Sequence, residues 1–213
     1  IPNVGIRKLN SAYAVGGGPL LVSTIESNYR VDIDNYASVD FSSMANIIDL
    51  VGGVDLEVST QEAGYINMYL DEQCGLQGLN ASDYYVTGGG ITHLNGNQAV
   101  GFARIRYTSR GNEHSDYGRT SRQREILVQL MQKARSLDAT TLLAVVNNML
   151  PLITHNIDAA TLTTLIANAP SYINYDIQTD RIPYDGLYSN LGEELVPDFE
   201  ATINRLHQTI YGN

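Results

Sequence analysis

The sequence predicts an α/β fold: one three-layer α–β–α domain over residues 1–213, with a central mixed sheet and extra helices packed on one side. Three observations lead to this prediction. Segments with the period of a strand alternate with segments with the period of a helix along most of the chain. The stretch 119–169 is mainly helical in pattern, which fits the extra helices. Neither an internal repeat nor a low-complexity linker divides the 213 residues, so no domain boundary is predicted.

Helix starts in the first half of the chain carry capping residues. Pro19 suits a first helical turn. Asp40 and Asn95 each precede an apolar stretch as N-caps, and Ser59 with Glu62 has the spacing of a capping box. These signals predict helices at about 19–29, 41–51, 60–70 and from 96 onward, strands at 33–39, 54–58 and 84–87, and a loop over the rest of 72–93.

The clearest helix of the chain is predicted in the second half, where apolar residues recur with a period of 3.6. Asp138 and Asp158 are the predicted N-caps of two further helices, and Pro197 precedes a last one. These patterns predict, in order, a polar loop at 107–118, helices at 119–135, 139–150 and 159–168, a strand at 175–182 and a helix at about 198–210.

Charge and cysteine content exclude several classes of function. The 23 acidic and 13 basic residues give a formal net charge of −10. A general nucleic-acid binder needs a cationic surface to neutralise phosphates, so no nucleic-acid partner is predicted. The single cysteine, Cys74, excludes an internal disulfide framework and a multi-cysteine zinc site. The four histidines lack any paired-ligand spacing, so none is predicted to bind a metal.

One segment of this acidic chain is strongly basic. Six of the thirteen basic residues fall within positions 104–124, and only Glu113 and Asp116 oppose them there. All six are arginine, whose planar guanidinium makes bidentate hydrogen bonds to phosphate oxygens and stays charged. Two interpretations remain open at this point, a phosphate-binding site or a solvated face with surface ion pairs. The six residues are Arg104, Arg106, Arg110, Arg119, Arg122 and Arg124.

The spacing within this segment favours convergence on one anion. Arg104 and Arg106 would point to the same side of an extended segment. Arg119 and Gln123 share one face of the predicted helix, and Arg122 lies near that face. Arg119 also stands at the helix start, where the first amide groups favour an anion. Two arginines from one element and an Arg–Gln face from the next would form a clamp for a pyrophosphate.

The same residues resemble the core motif of the LytR–CpsA–Psr family. The string that carries the resemblance is long and specific, with the pattern Ala-Arg-x-Arg followed by Asp-x-Gly-Arg-x-x-Arg-Gln. Further blocks extend it in order over nearly the whole chain. The matching stretches are 8–17 (KLNSAYAVGG), 35–41, 51–54 (VGGV), 94–99 (LNGNQA), 103–107 (ARIRY), 116–123 (DYGRTSRQ), 181–183 (RIP) and 196–198 (VPD).

The resemblance implies a membrane-anchored enzyme in the cell envelope, on the extracytoplasmic face of the cell membrane, mostly in Gram-positive bacteria. Such an enzyme is a phosphotransferase that moves a glycopolymer such as teichoic acid from a polyprenyl-pyrophosphate carrier to peptidoglycan. The product is a phosphodiester link. The resemblance also implies Mg²⁺ across the pyrophosphate, because this cation is usually bound through substrate phosphates.

The resemblance assigns roles residue by residue. Asp116 and Arg119 would be catalytic, with Asp116 orienting the arginines or handling a proton. The residues implied to bind the substrate pyrophosphate are Arg104, Arg106, Arg119, Gln123 and, at the rim of the head group, Lys8.

The chain departs from the family in its N-terminal part. The family's membrane helix, first strands and acidic metal ligands precede the position matched by Ile1, so the Mg²⁺ ligands are expected there. We therefore expect weak or no transferase activity from these residues alone. The alternative function is a degenerate or truncated module that binds pyrophosphate lipid or cell-wall polymer without turnover. The absent strands also predict an exposed sheet edge, and hence a homodimer or a strand-supplying partner.

Two groups of residues receive no functional role at this stage. The apolar residues of the helices within 119–169 are interpreted as core, although the family encloses a prenyl chain among such residues. The 14 tyrosines could stack on sugars or lie half-buried, and the sequence does not separate these alternatives.

Overall fold

A computed structural model describes residues 1–108, 115–172, 174–192 and 194–212, except the side chains of Gln77, Ser115 and Asp116. No helix within these ranges is both long enough and apolar enough to cross a bilayer. The helices are α1 (Ser11–Tyr29), α2 (Phe41–Leu50), α3 (Thr60–Gln77), α4 (Gly96–Arg104), α5 (Ser115–Ser136), α6 (Ala139–Met149), α7 (Ala159–Tyr172) and α8 (Phe199–Tyr211). The strands are β1 (Ala37–Ser38), β2 (Val54–Val58), β3 (Gly90–Leu94), β4 (Thr154–His155), β5 (Tyr188–Leu191) and β6 (Glu194–Pro197).

The α/β class is confirmed, but the sheet differs from the expected central mixed one. Within the described ranges no sheet has more than two strands. The longer pairs, β2 with β3 and β5 with β6, are antiparallel. The expected strand at 175–182 does not form, because its side chains are mostly exposed and the alternating apolar residues gain no buried face. The expected strand at 33–39 contains only the two residues of β1.

Every predicted N-cap is confirmed. Asp40 Oδ1 accepts a hydrogen bond from Ser43 N at 2.7 Å, and Asp138 and Asp158 cap α6 and α7 in the same way. Ser59 and Glu62 form the complete capping box of α3. A second capping box was not predicted: Asn95 Oδ1 accepts from Gln98 N while Gln98 Oε1 accepts from Asn95 N.

Some boundaries differ from the sequence prediction for identifiable reasons. α1 begins at Ser11 rather than near 19, because two helical stretches join across a kink at Gly16 and Gly17. The expected strand at 84–87 is replaced by a short 3₁₀ turn that ends at Tyr84. The strand β3 lies instead mostly within the stretch predicted as loop, and it begins at the third of three consecutive glycines with positive φ.

The described residues form two compact units. One unit, residues 39–154 and 158–177, contains α2–α7 and β2–β3; its core includes Ile48, Val58, Ile66, Phe102 and Ile126. The other unit, residues 1–38, 155–157 and 178–213, has a smaller core around Tyr29, Val31 and Ile203, where α1 packs on α8. We call them the larger and the smaller unit; a single domain over 1–213 stays a prediction.

We expect Asp40→Asn to make the thermal stability less sensitive to acid. The hydrogen bond from the Ser43 amide, followed by one from its hydroxyl, lowers the pKa of Asp40. A carboxyl whose pKa is lower in the folded state stabilises it above about pH 4 and loses this effect as the pH falls through the folded-state pKa. Asparagine caps a helix without titrating. Circular dichroism melts at neutral pH and below about pH 3 give the comparison; an equal fall of Tm in both proteins would contradict the assignment.

Candidate functional site: a cationic cleft beside an apolar cavity

The α4 helix is held closely against its neighbours in the larger unit. Gly96 N donates to Asp49 Oδ1 at 2.7 Å, and a Cβ at Gly96 would lie 2.0 Å from the Ala45 carbonyl oxygen. A Cβ at Gly101 would lie 2.9 Å from the ring of Tyr69 on α3. Only glycine permits these approaches, so the direction in which α4 ends is fixed by α2 and α3 together.

The segment that leaves α4 places two arginines on one side. Ile105 has extended backbone angles, with φ −60° and ψ 126°, and its side chain is buried. Arg104 and Arg106 on either side of it are exposed. The alternation follows from the two-residue period of extended backbone, as the spacing in the sequence predicted.

Arg104 and Arg106 meet the first turns of α5 at one cleft of about 600 Å³. Arg119 and Gln123, one helical turn apart, line the same cleft. Gln123 Nε2 also donates to the Ala103 carbonyl at 3.4 Å, which ties α5 to the end of α4. The structure thus brings together four of the five predicted pyrophosphate-binding residues; their function in binding stays a prediction.

A buried ion pair holds the two arginine-bearing segments together. Arg122 is fully buried, and its Nε donates to Glu62 Oε1 at 2.9 Å. Its Nη1 and Nη2 donate to the carbonyl oxygens of Ile105, at 3.3 Å, and Thr108, at 3.2 Å. Glu62 Oε2 accepts from Ser59 N in the capping box of α3. Arg122 therefore does not lie near the pyrophosphate face, as the sequence suggested, but supports it from behind.

Arg104 contacts two aromatic rings. Its guanidinium carbon is 5.3 Å from the ring centroid of Phe41 and 4.6 Å from that of Tyr69. Such cation–π contacts stabilise a guanidinium by about 0.5–1 kcal/mol at exposed sites. They also restrict its rotamers, so the side chain is positioned before any ligand binds.

One face of α3 adds an aromatic stripe to the cleft. Tyr65, Met68, Tyr69 and Glu72 follow the i, i+3, i+4, i+7 spacing of a single helical face, and all four line the cleft. Tyr107 lies in contact with Tyr65. Sequence reasoning missed this stripe; its helical spacing was visible, but aromatic residues at that spacing more often form core.

A smaller apolar cavity of about 250 Å³ adjoins the cleft, with Phe41, Ala103 and Gln123 in both linings. Its other walls come mainly from Val39, Met44, Val100, Ile126 and Leu127. Ile126 is only 3% exposed, so the expectation that it is core is correct, yet it also faces this cavity.

The remaining predicted residues lie elsewhere. Lys8 lies in the smaller unit, where its Nζ pairs with Glu194 Oε1 at 3.0 Å. The backbone of Asp116 belongs to α5, but its side chain, like the whole of Arg110, Glu113 and His114, lies outside the described residues.

The expected Mg²⁺ finds no matching ligand set in the parts of the chain that the structure describes. No group of three or more His, Cys, Asp or Glu residues there could hold a metal ion. Glu72 is the sole acidic residue among the described cleft residues.

We expect Arg122→Met to lower the free energy of unfolding by about 3–5 kcal/mol, because Glu62 is left charged and buried without its partner. The double variant Arg122→Met/Glu62→Gln removes that charge and keeps the capping box. Its free energy of unfolding should therefore fall by less than that of Arg122→Met alone. Urea unfolding gives both values. The matched control, Arg135→Met near the end of the same helix, is exposed and should change stability by about 0.5 kcal/mol or less. A double variant no more stable than the single one would contradict the pairing.

The chain is similar to several proteins of named function. Polyisoprenyl-teichoic acid–peptidoglycan teichoic acid transferase TagV of Bacillus subtilis (strain 168) is 33% identical over 129 residues, 61% of this chain and 29% of the relative. The transferase TagU of Enterococcus faecalis (strain ATCC 700802 / V583) is 32% identical over 157 residues, 70% of this chain and 44% of the relative. The chain spans less than half of the length of these curated relatives.

The fold has solved counterparts. The structure "TagT bound to LIIa-WTA" superposes with a TM-score of 0.68 at 19% identity, over 98% of this chain and 73% of that one. The model of the LytR_cpsA_psr family matches residues 1–206. This chain therefore belongs to the LytR–CpsA–Psr family.

Proposed function

We propose that the chain is the catalytic part of a phosphotransferase that attaches a cell-wall glycopolymer from a polyprenyl-pyrophosphate carrier to peptidoglycan. The observation that carries the proposal is the joining of a cleft lined by three arginines to an apolar cavity. A prenyl pyrophosphate has this same division into charged and apolar parts. The curated relatives are named as transferases of teichoic acid to peptidoglycan, which supports the same reaction class.

The pyrophosphate would bind to Arg104, Arg106 and Arg119, with a hydrogen bond from Gln123. Guanidinium groups bind phosphate oxygens bidentately and remain charged at any physiological pH. Among the described residues that line the cleft, three guanidinium groups outnumber the one carboxylate, Glu72. Lys8 is proposed to bind at the rim of the head group only because the family resemblance implies it.

The prenyl chain would occupy the apolar cavity. Phe41, Ala103 and Gln123 line both spaces, so a ligand with its pyrophosphate in the cleft reaches the cavity directly. Burial of each CH₂ group stabilises such a complex by about 0.8 kcal/mol. Ile126 and Leu127, which the sequence analysis interpreted as core, also line this cavity.

The transfer step follows from this placement. An acceptor hydroxyl of peptidoglycan would attack the phosphorus that carries the glycopolymer, and a new P–O bond would form. The bond from that phosphorus to the bridging oxygen would break, and polyprenyl phosphate would leave with the electron pair. The arginines neutralise charge on both phosphates, which is the main requirement of phosphoryl transfer. The hydroxyl proton would pass to a base, the role that the resemblance gives to Asp116.

A second candidate function is binding of pyrophosphate lipid or cell-wall polymer without turnover. The observation that favours it is that the described residues contain no group able to hold a metal ion. Magnesium therefore belongs to the proposal through the family resemblance, with ligands outside the described residues. A turnover assay with polyprenyl-pyrophosphate glycopolymer and peptidoglycan, with Mg²⁺ or with EDTA, separates the candidates: product that depends on Mg²⁺ supports the transferase.

The site of action would be the cell envelope, on the extracytoplasmic face of the cell membrane. Both substrates are envelope polymers in the named relatives, and a relative from Corynebacterium glutamicum is named as a probable cell wall biosynthesis protein. No nucleic-acid partner is proposed, because the formal net charge of −10 opposes binding to phosphate backbones.

We expect Arg104→Ala and Arg119→Ala each to weaken the binding of geranylgeranyl pyrophosphate by about 10- to 100-fold, the equivalent of losing a hydrogen bond to a charged group. Isothermal titration calorimetry measures the affinities. Arg135→Ala, on the same helix as Arg119 but not in the cleft lining, is the control and should bind like the wild type. Geranylgeraniol, which lacks the phosphates, should bind weakly and equally to all four proteins. Unchanged affinity for the pyrophosphate in both cleft variants would refute the proposal.

We also propose that the chain forms a homodimer through a sheet edge. In a two-stranded ladder such as β5–β6, each strand has one edge without a ladder partner, and most residues of both strands are exposed. Exposed edges pair readily with other strands. Light scattering of the purified chain should give twice the monomer mass of 23.3 kDa, and a monomer at micromolar concentration would contradict this expectation.

A further inference from the structure

Two aromatic rings beside the cationic cleft have no role in pyrophosphate binding. Tyr65 on α3 and Tyr107 after α4 contact each other, with ring centroids 6.0 Å apart and planes inclined by 34°. Tyr107 is 82% exposed, so it contributes little to the core of the larger unit. Tyr65 is half-buried and packs against that core, so it supports the exposed ring of Tyr107. An exposed aromatic side chain in a polar cleft is typical of a ligand-binding surface.

We propose that Tyr65 and Tyr107 bind the pyranose ring that is attached to the distal phosphate of the lipid pyrophosphate. This inference rests on the proposed function, because it places a further part of the same substrate. The apolar C–H face of a pyranose packs against an aromatic ring, while its hydroxyls remain available to polar groups. Glu72 lies two helical turns beyond Tyr65 on the same face of α3, where its carboxylate accepts hydrogen bonds from hydroxyls.

The linings of the two spaces decide which end of the substrate meets these rings. Phe41 lines both the cleft and the apolar cavity, whereas Tyr65 and Tyr107 line the cleft alone. Arg104 contacts the rings of both Phe41 and Tyr69. A pyrophosphate on Arg104 whose prenyl chain enters the apolar cavity would therefore leave its other substituent, the first sugar, in the cleft that Tyr65 and Tyr107 line.

Two ligands separate sugar binding from pyrophosphate binding. The first is geranylgeranyl pyrophosphate, and the second carries N-acetylglucosamine on its distal phosphate. We expect Tyr107→Ala to weaken binding of the sugar-bearing ligand by about 3- to 10-fold and to leave binding of the sugar-free ligand unchanged. Tyr107→Phe, which keeps the ring, should retain most of the affinity. Isothermal titration calorimetry in a single buffer measures the affinity for both ligands.

Tyr175→Ala is the matched control. Tyr175 is 65% exposed, and its ring centroid lies 5.9 Å from that of Tyr172. It is therefore an exposed tyrosine in a similar ring contact that does not line the cleft. This variant should bind both ligands like the wild type.

The remaining outcomes overturn the inference. An equal loss of affinity for both ligands in Tyr107→Ala would show that the ring only supports the arginines, and unchanged affinity would show that it does not contact the ligand. If Tyr107→Ala instead lost affinity only for a third ligand, a peptidoglycan disaccharide fragment, the rings would be assigned to the acceptor. If the sugar-free ligand binds in an Arg104-dependent manner but the sugar adds no affinity, the inference fails and the proposed function stands. If neither ligand binds to the wild type, both fail.

Discussion

The ion pair between Arg122 and Glu62 is the interaction on which the geometry of the cleft depends. Both side chains are buried, and removing two charges from water is costly unless further hydrogen bonds satisfy them. Here the guanidinium reaches the carbonyl oxygens of Ile105 and Thr108, and the carboxylate completes the capping box with Ser59. One side chain of α5 thereby fixes both the start of α3 and the segment that carries Arg106. Arg122 thereby holds the segment that carries Arg106 close to α5, which carries Arg119.

This arrangement gives a strongly acidic chain a local site for an anion. The formal net charge of −10 repels phosphates at long range, so affinity for a pyrophosphate has to come from groups close to it. Three guanidinium groups around one cleft meet this requirement, and Phe41 and Tyr69 hold Arg104 in place. In the proposed function, the adjoining apolar cavity would bind the lipid part of the substrate and the tyrosines would bind its first sugar. The apolar cavity, the arginines and the tyrosines thus correspond, in this order, to the prenyl chain, the pyrophosphate and the first sugar of the proposed substrate.

Local signals in the sequence predicted the parts of the fold that local physics determines. The caps at Asp40, Ser59 and Asp138 depend on a few neighbouring residues, and the common side of Arg104 and Arg106 depends only on the period of extended backbone. Features that depend on distant residues were not predicted. The burial of Arg122 requires Glu62, 60 positions away, and the antiparallel partner of β2 begins at the third of three glycines whose composition is typical of a loop. The aromatic stripe of α3 was missed because sequence alone does not say which face of a helix meets a cleft.

The central claim is that Arg104, Arg106 and Arg119 bind one diphosphate together. Titration of the wild-type chain with inorganic pyrophosphate, followed by NMR of the arginine Nε–Hε groups, tests it most directly. The account predicts that the three assigned resonances shift in parallel and reach saturation with one dissociation constant. Resonances that shift with separate constants, or a shift confined to one arginine, would contradict it.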